Sequence, residues 1–442
     1  MLEKLFQLRA HGTTVKTEVV AGITTFMTMA YILALNPAIL SAAGMPPGGV
    51  FTATALSAAI ATLAMALLAN LPIALAPGMG LNAFFAYAVV LGMGYSWQLA
   101  LAAVLAEGIL FILMSFFDVR ERLIHSIPGN IKKAVTIGVG LFIAYIGLKN
   151  SGIVAYATSA GVVDGQAVVH SVIPKPGLIT HGAPLVAMLG LVLTMVLLVR
   201  KVRGALLIGI LATTLIGIPL GVTAVGEGFR PWSRPHAPLL FQFDFRNVWS
   251  LDFLVVMFAF LFVDVFDTVG TLVGVASQAK LIDARGHVPR AKQALLADAI
   301  GTVAGACLGT STVTSYVESA AGVAEGGRTG LAALSIALLF AAALFLSPLF
   351  LVIPAAATAP ALVLVGFFML SPIRTLDMDD PAETIPAFLT MIMIPLSYSI
   401  AEGLVFGVLS YVLLKTATGK ARQVSALIWI VAAIFLLKLA LR

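Results

Sequence analysis

The chain has 442 residues, of which 60% are hydrophobic and 10% are charged, and its mean hydropathy is +1.05. This composition excludes a soluble globular protein, in which about a quarter of the residues are charged, and predicts a polytopic membrane protein in contact with lipid. The net charge of +6 does not indicate a nucleic-acid partner, because the basic residues are spread over the loops between apolar segments. With Cys307 as the single cysteine, no intrachain disulfide is possible.

The first half of the chain contains a series of apolar segments typical of membrane spans. Residues 1–17 are polar and basic, and the apolar segment after them is long enough to span a bilayer, so no cleavable signal peptide is predicted. Breaks at Gly, Pro and charged residues place the first set of spans at 20–41, 50–70, 73–91, 97–117, 133–149, 184–199 and 204–222. The loop 150–183 is expected to be a surface connection.

The second half repeats this pattern after a further surface connection at 223–251. Its predicted spans lie at 252–276, 292–309, 311–324, 329–352, 357–371, 384–397 and 400–415. An additional apolar run at 424–440 is long enough either to span the membrane or to lie at its interface.

The distribution of basic residues predicts the orientation of the chain. If the N-terminus is cytoplasmic, most of the 26 Lys and Arg residues fall in cytoplasmic loops, as the positive-inside rule requires. We therefore expect a multi-pass protein of the cytoplasmic membrane with its N-terminus inside.

An internal repeat relates the two halves of the chain. Val139-Gly140-Leu141-Phe142 follows an Ile-Pro pair at the same spacing as Val365-Gly366-Phe367-Phe368 follows Ile353-Pro354. The first copy starts inside and the second starts outside, as in an inverted repeat. The sequence therefore predicts an all-α transporter of about 14 spans in a seven-plus-seven inverted repeat, with its substrate near the midplane.

Two spans, the third and the tenth, contain interrupted helices. Residues 70–85 carry several Pro and Gly residues, and residues 309–323 begin with a β-prone, hydroxyl-rich stretch. Unwound backbone at membrane depth is tolerated only where protein or a water-filled cavity satisfies it. Asn82 and Glu318 lie near these breaks, although Asn82 also suits a hydrogen bond between packed helices.

Acidic residues inside the apolar spans are the main candidates for the working site. Asp264, Asp267 and Glu318 have no Lys or Arg at the same depth, and all six histidines fall in loops or at their edges. Such acids usually face a cavity or a partner and can exchange protons, so the site is predicted to bind protons, cations or neutral solutes rich in donors. Glu107 and Asp298 are interpreted as groups that hydrogen-bond between helices.

Several long motifs resemble one transporter family. VDVFDTVGTLVGVA at 263–276, GTSTVTSYVESAAGV at 309–323, APGMGLNAFFAY at 76–87 and EVVAGITTFMTMAYILALNP at 18–37 are similar to the AzgA-like purine permeases. These permeases are a branch of the nucleobase/cation symporter family, which also includes xanthine and uracil permeases. The resemblance continues to residue 403 and so covers nearly the whole chain.

The resemblance implies a division into a core domain and a gate domain. The core would comprise 1–117 and 252–353, the gate 118–222 and 354–416, with an external loop at 223–251 and an extra C-terminal apolar helix at 417–442. It also implies proton-coupled purine uptake, substrate contacts from Asn82, Asp264 and Glu318, a second essential acid at Asp267, and homodimers. An acid after the twelfth span, Asp380 or Glu383, is implicated in some members.

We therefore expect a purine and proton symporter, not an enzyme, that prefers hypoxanthine or guanine and moves by alternating access. Either Asp264 or Asp267 is expected to carry the proton. Phe84 and Phe85 are able to flank the flat base, although buried aromatic residues more often serve packing. No metal or cofactor is expected besides the coupling proton. An adenine-preferring permease, an anion transporter of the same architecture and a cation channel are the alternatives.

Overall fold

The computed structural model describes residues 2–116, 128–163, 166–226, 228–246, 248–282 and 288–440. The boundary at 118, where the gate domain is expected to begin, lies outside the described residues. Within the described part, nine helices are long and apolar enough to cross a membrane, and several shorter apolar helices accompany them. This is the multi-pass helical architecture that the sequence predicts.

The described residues of the first half form nine helices. They are α1 (Leu2–Phe6), α2 (Val15–Met29), α3 (Ile32–Ala42), α4 (Pro47–Ala64), α5 (Met79–Ala83), α6 (Trp97–Phe116), α7 (Gly129–Asn150), α8 (Gly182–Val199) and α9 (Ala205–Gly217). Wider π-helical segments extend α4 over Met65–Ala69 and α5 over Phe84–Gly92.

The second half contains a matching set. Its helices are α10 (Leu251–Gln278), α11 (Ala291–Leu308), α12 (Ser319–Ala324), α13 (Gly330–Ala343), α14 (Ser347–Leu351), α15 (Ala355–Phe368), α16 (Pro381–Ser397), α17 (Ile400–Ala417) and α18 (Ala426–Ala440). The apolar run at 424–440 is thus mostly helical.

The helices pack in two groups. In the first bundle, α11 packs against α4 and α6, and α13 packs against α2 and α4. In the second bundle, α7 packs against α15 and α16, while α8 and α9 pack against each other and against α15. Each bundle therefore combines helices from both halves of the sequence.

The loop at 150–183 is not an irregular connection. It contains the antiparallel strands β2 (Val154–Val163) and β3 (Gln166–Pro176), which pair from Val154 with Pro176 to Val163 with Gln166. The Val and Tyr residues of this segment favour β-strands. The hairpin lies within the connection predicted at 150–183, and the fold remains predominantly helical as the sequence predicts.

The two repeat glycines meet where α7 crosses α15. A Cβ atom on Gly140 would lie 2.7 Å from the carbonyl oxygen of Gly366, and one on Gly366 would lie 2.4 Å from the carbonyl oxygen of Gly140. Small residues of this kind allow helix backbones to approach closely inside a membrane. Equivalent residues of two repeats contact each other in this reciprocal way at a pseudo-two-fold axis.

We expect Gly140→Ala to destabilise the second bundle, because the added methyl group meets a backbone atom that cannot rotate away. The cost is about 1–3 kcal/mol, typical of overpacking, and should lower the melting temperature of the detergent-purified protein. Gly129→Ala is the matched control. Gly129 lies on the same helix as Gly140, and a Cβ atom there would meet nothing within 4 Å. Equal melting temperatures for the two variants would contradict the close crossing.

A buried carboxylate joins α2 to the start of α13. Glu18 accepts hydrogen bonds from the backbone N–H groups of Arg328 at 2.8 Å, Thr329 at 3.3 Å and Ala332 at 3.2 Å. The start of a helix leaves backbone N–H groups short of carbonyl partners, and Glu18 supplies acceptors for three of them. The contact fixes the first span against the segment that follows Glu318.

Candidate functional site

Two short strands cross at the centre of the first bundle. β1 (Leu75–Pro77) and β4 (Val313–Ser315) pair antiparallel, with Ala76 opposite Thr314. These are the two segments for which the sequence predicts broken, β-like structure. The strands stand before α5 and α12, so both half-helices begin near the crossing.

Two threonines hold the strand crossing from equivalent positions in the repeat. Thr62 on α4 exchanges hydrogen bonds with the backbone N–H and C=O of Leu75, both at 3.0 Å. Thr302 on α11 does the same with Val313, at 3.2 and 2.9 Å. Backbone that leaves its helix at membrane depth must be satisfied by such partners. The strands are therefore a fixed element of the site.

A cavity of about 330 Å³ lies beside the strand crossing, between the two bundles. The first bundle, with α10 packed against its helix α6, contributes most of the polar side chains, and the second contributes residues of α7, of α15 and of the segment after α15. The lining includes Tyr31, Asp267, Thr314, Ser315, Tyr316, Glu318, Thr136, Phe368, Met369 and Ser371. Among the described residues, none of those lining this cavity is a lysine, arginine or histidine.

Two predicted site residues, Glu318 and Asp267, line this cavity. The Tyr31 hydroxyl donates a 2.5 Å hydrogen bond to Oε1 of Glu318. Thr314 Oγ1 lies 3.5 Å from Oδ2 of Asp267. The two carboxyl groups line the same cavity. This arrangement concentrates negative charge in a partly desolvated space and favours a proton or a ligand rich in hydrogen-bond donors.

Asp264 lies behind the cavity and is not among its lining residues. Its Oδ1 is 3.3 Å from the hydroxyl of Thr268, one turn along α10. The same hydroxyl reaches Asp298 on α11 at 2.9 Å and Thr314 at 3.0 Å. Thr268 thus connects the buried Asp264 and Asp298 to the Thr314 hydroxyl that faces Asp267. The interhelical role predicted for Asp298 agrees with this contact.

Asn82 also lies one layer behind the cavity. It is fully buried on α5, accepts a hydrogen bond from the Ser311 hydroxyl, and places Nδ2 3.5 Å from the carbonyl oxygen of Pro77. These contacts fit the alternative role of a packing hydrogen bond. Glu107 is placed similarly, accepting from Thr312 at 3.1 Å.

Phe85 does not line the cavity. Both Phe84 and Phe85 are fully buried, with ring centroids 4.9 and 6.5 Å from that of Phe260 on α10. We call these three residues the aromatic barrier. Phe84 and Phe85 come after the cavity-lining residues of the helix that begins at Met79, and Phe260 comes before the cavity-lining residues of α10.

A second cavity of about 430 Å³ lies on the other side of the aromatic barrier. Its lining includes Tyr95, Asp252, Tyr398 and Glu402. Asp252 precedes Phe260 in α10, and Tyr95 lies beyond the π-helical segment that carries Phe85. The two cavities therefore occupy opposite ends of the same pair of helices.

Comparison with known proteins decides the family. The family model Xan_ur_permease, described as a permease family, matches residues 16–406. The chain belongs to this permease family. The adenine permease AdeP of Escherichia coli is 43% identical to this permease over 99% of the chain and 96% of its own length. The guanine/hypoxanthine permease PbuO of Bacillus subtilis is also 43% identical, over 98% of this chain and 99% of its own.

A solved structure shows the same fold. The transmembrane domain of the cyanobacterial bicarbonate transporter BicA superposes on this permease with a TM-score of 0.63 at 14% identity, covering 88% of this chain and 97% of that domain. The permease therefore has the seven-plus-seven inverted-repeat fold that its sequence predicts. It is an integral multi-pass membrane protein and not an enzyme, as its family and its apolar helices indicate.

Proposed function

We propose that this permease imports purine bases by proton symport and alternating access, with hypoxanthine and guanine preferred. The observation that carries the proposal is the pair of acids, Asp267 and Glu318, in a cavity at the crossing of two broken helices. The named relatives that transport adenine, guanine and hypoxanthine support a purine as the substrate.

Glu318 is the proposed acceptor for the base. A carboxylate accepts hydrogen bonds only, and it suits the N1–H of hypoxanthine or the N1–H and 2-amino group of guanine. Asp264 and Asn82, which the family resemblance implies as substrate contacts, would act from behind the cavity. In this proposal they hold the strand crossing and α10 in place.

Asp267 is the proposed proton-coupling residue. Two carboxylates that face one desolvated cavity repel each other, and taking up one proton removes that repulsion. Binding of a proton at Asp267 would therefore favour the state in which Glu318 is ionised and accepts the base. No metal or further cofactor enters the proposal.

Alternating access would be a movement of the core against the gate. In this proposal the first bundle is the core, the second bundle is the gate, and the aromatic barrier separates the two cavities. With the N-terminus on the cytoplasmic side of the cell membrane, the cavity beside Glu318 faces the cytoplasm, because its lining extends to the C-terminal parts of α10 and α15. The conformation is then inward-facing. The proposal includes a homodimer as its assembly.

Adenine is the second candidate substrate. The chain is as similar to AdeP as it is to PbuO, with 43% identity to each. Adenine presents a ring acceptor at N1 and a 6-amino donor, whereas hypoxanthine presents N1–H, so the two bases place opposite groups toward a carboxylate. A protonated Glu318 would be needed to donate to adenine N1.

The test is uptake of labelled hypoxanthine into bacteria that lack their own purine permeases. We expect concentrative uptake that a protonophore abolishes, and competition by unlabelled guanine stronger than competition by adenine. Xanthine and uracil serve as the matched non-substrates. Uptake that follows a sodium gradient would contradict proton coupling, and stronger competition by adenine would reverse the base preference. Bicarbonate uptake without purine uptake would favour the anion-transporter alternative.

A further inference from the structure

Among the described residues, the hydroxyl of Tyr31 is the one side-chain donor that the structure places on the carboxylate of Glu318. Tyr31 lies in the interruption between α2 and α3, in the first span, and only 1% of its surface is exposed. Its hydrogen bond to Oε1 of Glu318 measures 2.5 Å and joins residues 287 positions apart in the sequence. Both side chains line the same cavity.

The backbone around Glu318 is held from the opposite direction. The N–H of Tyr316 donates to the carbonyl oxygen of Ala74 at 2.9 Å, and the N–H of Ala74 donates to the hydroxyl of Ser319 at 3.0 Å. Glu318 therefore stands on a fixed backbone. Its own side chain still has three rotatable bonds, and ordering such a chain costs up to roughly 2 kcal/mol of conformational entropy. The contact with Tyr31 restricts this freedom before a ligand arrives.

We propose that Tyr31 is a positioning residue for substrate binding. It holds Oε1 of Glu318 so that Oε2 remains available to accept a ring N–H from a planar heterocyclic base. A buried phenol is suited to this task because it is rigid, it donates one hydrogen bond, and it adds no charge to the cavity. The inference rests on the proposed function, in which Glu318 accepts a hydrogen bond from the base.

The expected signature is a loss of affinity with little change in turnover. Tyr31 acts on the carboxylate before the base binds, so its loss weakens binding of the base and leaves the domain movement unaltered. The variant Tyr31→Phe keeps the ring and removes one oxygen atom. We expect it to raise KM for hypoxanthine about tenfold, as loss of one hydrogen bond to a charged group does, while Vmax stays within twofold of wild type.

The matched control is Tyr87→Phe. Tyr87 is also buried but is not among the lining residues of either cavity, and its hydroxyl accepts a hydrogen bond from Nδ2 of Asn150 at 2.6 Å rather than binding a carboxylate. Its loss should lower the melting temperature and leave KM within twofold of wild type. Binding of hypoxanthine to each purified variant, restricted to monodisperse protein, checks the uptake kinetics.

The result that supports the inference is a rise in KM of at least threefold for Tyr31→Phe, with Vmax retained and a matching loss of binding. A smaller rise, or a fall in Vmax at unchanged KM, overturns it. Failure of the proposed function looks different, because wild-type protein would then bind no purine at all.

Discussion

Replacing Glu318 by Gln is expected to abolish purine uptake while the protein remains in the membrane. The amide keeps the size of the side chain but replaces one carboxylate oxygen by an NH2 group. Tyr31 and the base both donate hydrogen bonds to Glu318, so in the variant one of these two donors faces another donor. Hydrogen bonds to charged groups contribute about 1.5–3 kcal/mol, and a donor left facing a donor costs more, so uptake should fall roughly 30-fold or further. Initial rates of labelled hypoxanthine uptake, normalised to the amount of protein in the membrane by immunoblot, measure the effect.

Glu325→Gln provides the control. Glu325 lies just after α12, is partly exposed, and forms an ion pair with the exposed Arg203. Ion pairs with an exposed partner contribute little to stability, so this variant should transport at close to the wild-type rate. Uptake by Glu318→Gln at the same rate as by Glu325→Gln would contradict the role of Glu318.

The broken helices and the repeat could be predicted because their signals are local. Pro77, Gly78 and the β-prone residues around Thr314 cannot continue an α-helix easily, so they mark the two interruptions wherever the chain folds. The glycines Gly140 and Gly366 recur at the same spacing in both halves. These features identify the fold and the position of the site along the chain.

The arrangement of the acids could not be predicted in the same way. Asp264 and Asp267 are three residues apart on α10 and share one broad helix face, so periodicity assigns both to the site. The packing of α10 against β4 and α11 decides that Asp267 lines the cavity and Asp264 lies behind it. The spacing of the two residues in the sequence does not determine which side of α10 faces the cavity.

Tyr31, Thr268 and Glu18 were missed for a related reason. Tyr31 and Thr268 are uncharged residues within ordinary apolar spans, and the interruption at Tyr31 contains neither Gly nor Pro. Glu18 stands at the edge of the first span, where an acidic residue is unremarkable. Their roles follow from their hydrogen-bond partners, which are Glu318 for Tyr31, Asp298 for Thr268 and the start of α13 for Glu18. These partners are distant in the sequence, so the contacts are known only from the folded structure.

Replacing Asp267 by Asn is expected to uncouple transport from the proton gradient. The amide cannot take up a proton, yet it keeps the size of the side chain and a group able to accept from Thr314. The variant should therefore lose concentrative uptake, which the gradient drives, and retain exchange of internal for external base, which needs no net proton movement. In proteoliposomes, we expect accumulation driven by an imposed pH gradient to fall to the level of equilibration, with counterflow reduced less than about tenfold.

Asp252→Asn separates a coupling role from a general effect of removing an acid from α10. Asp252 lines the cavity on the other side of the aromatic barrier, where its Oδ2 lies 3.3 Å from the hydroxyl of Tyr95. It has no contact with Glu318, so its loss should leave gradient-driven accumulation sensitive to a protonophore. Accumulation by Asp267→Asn that a protonophore still collapses would place the proton elsewhere, and Asp264, connected to the cavity through Thr268 and Thr314, would become the coupling residue to test next.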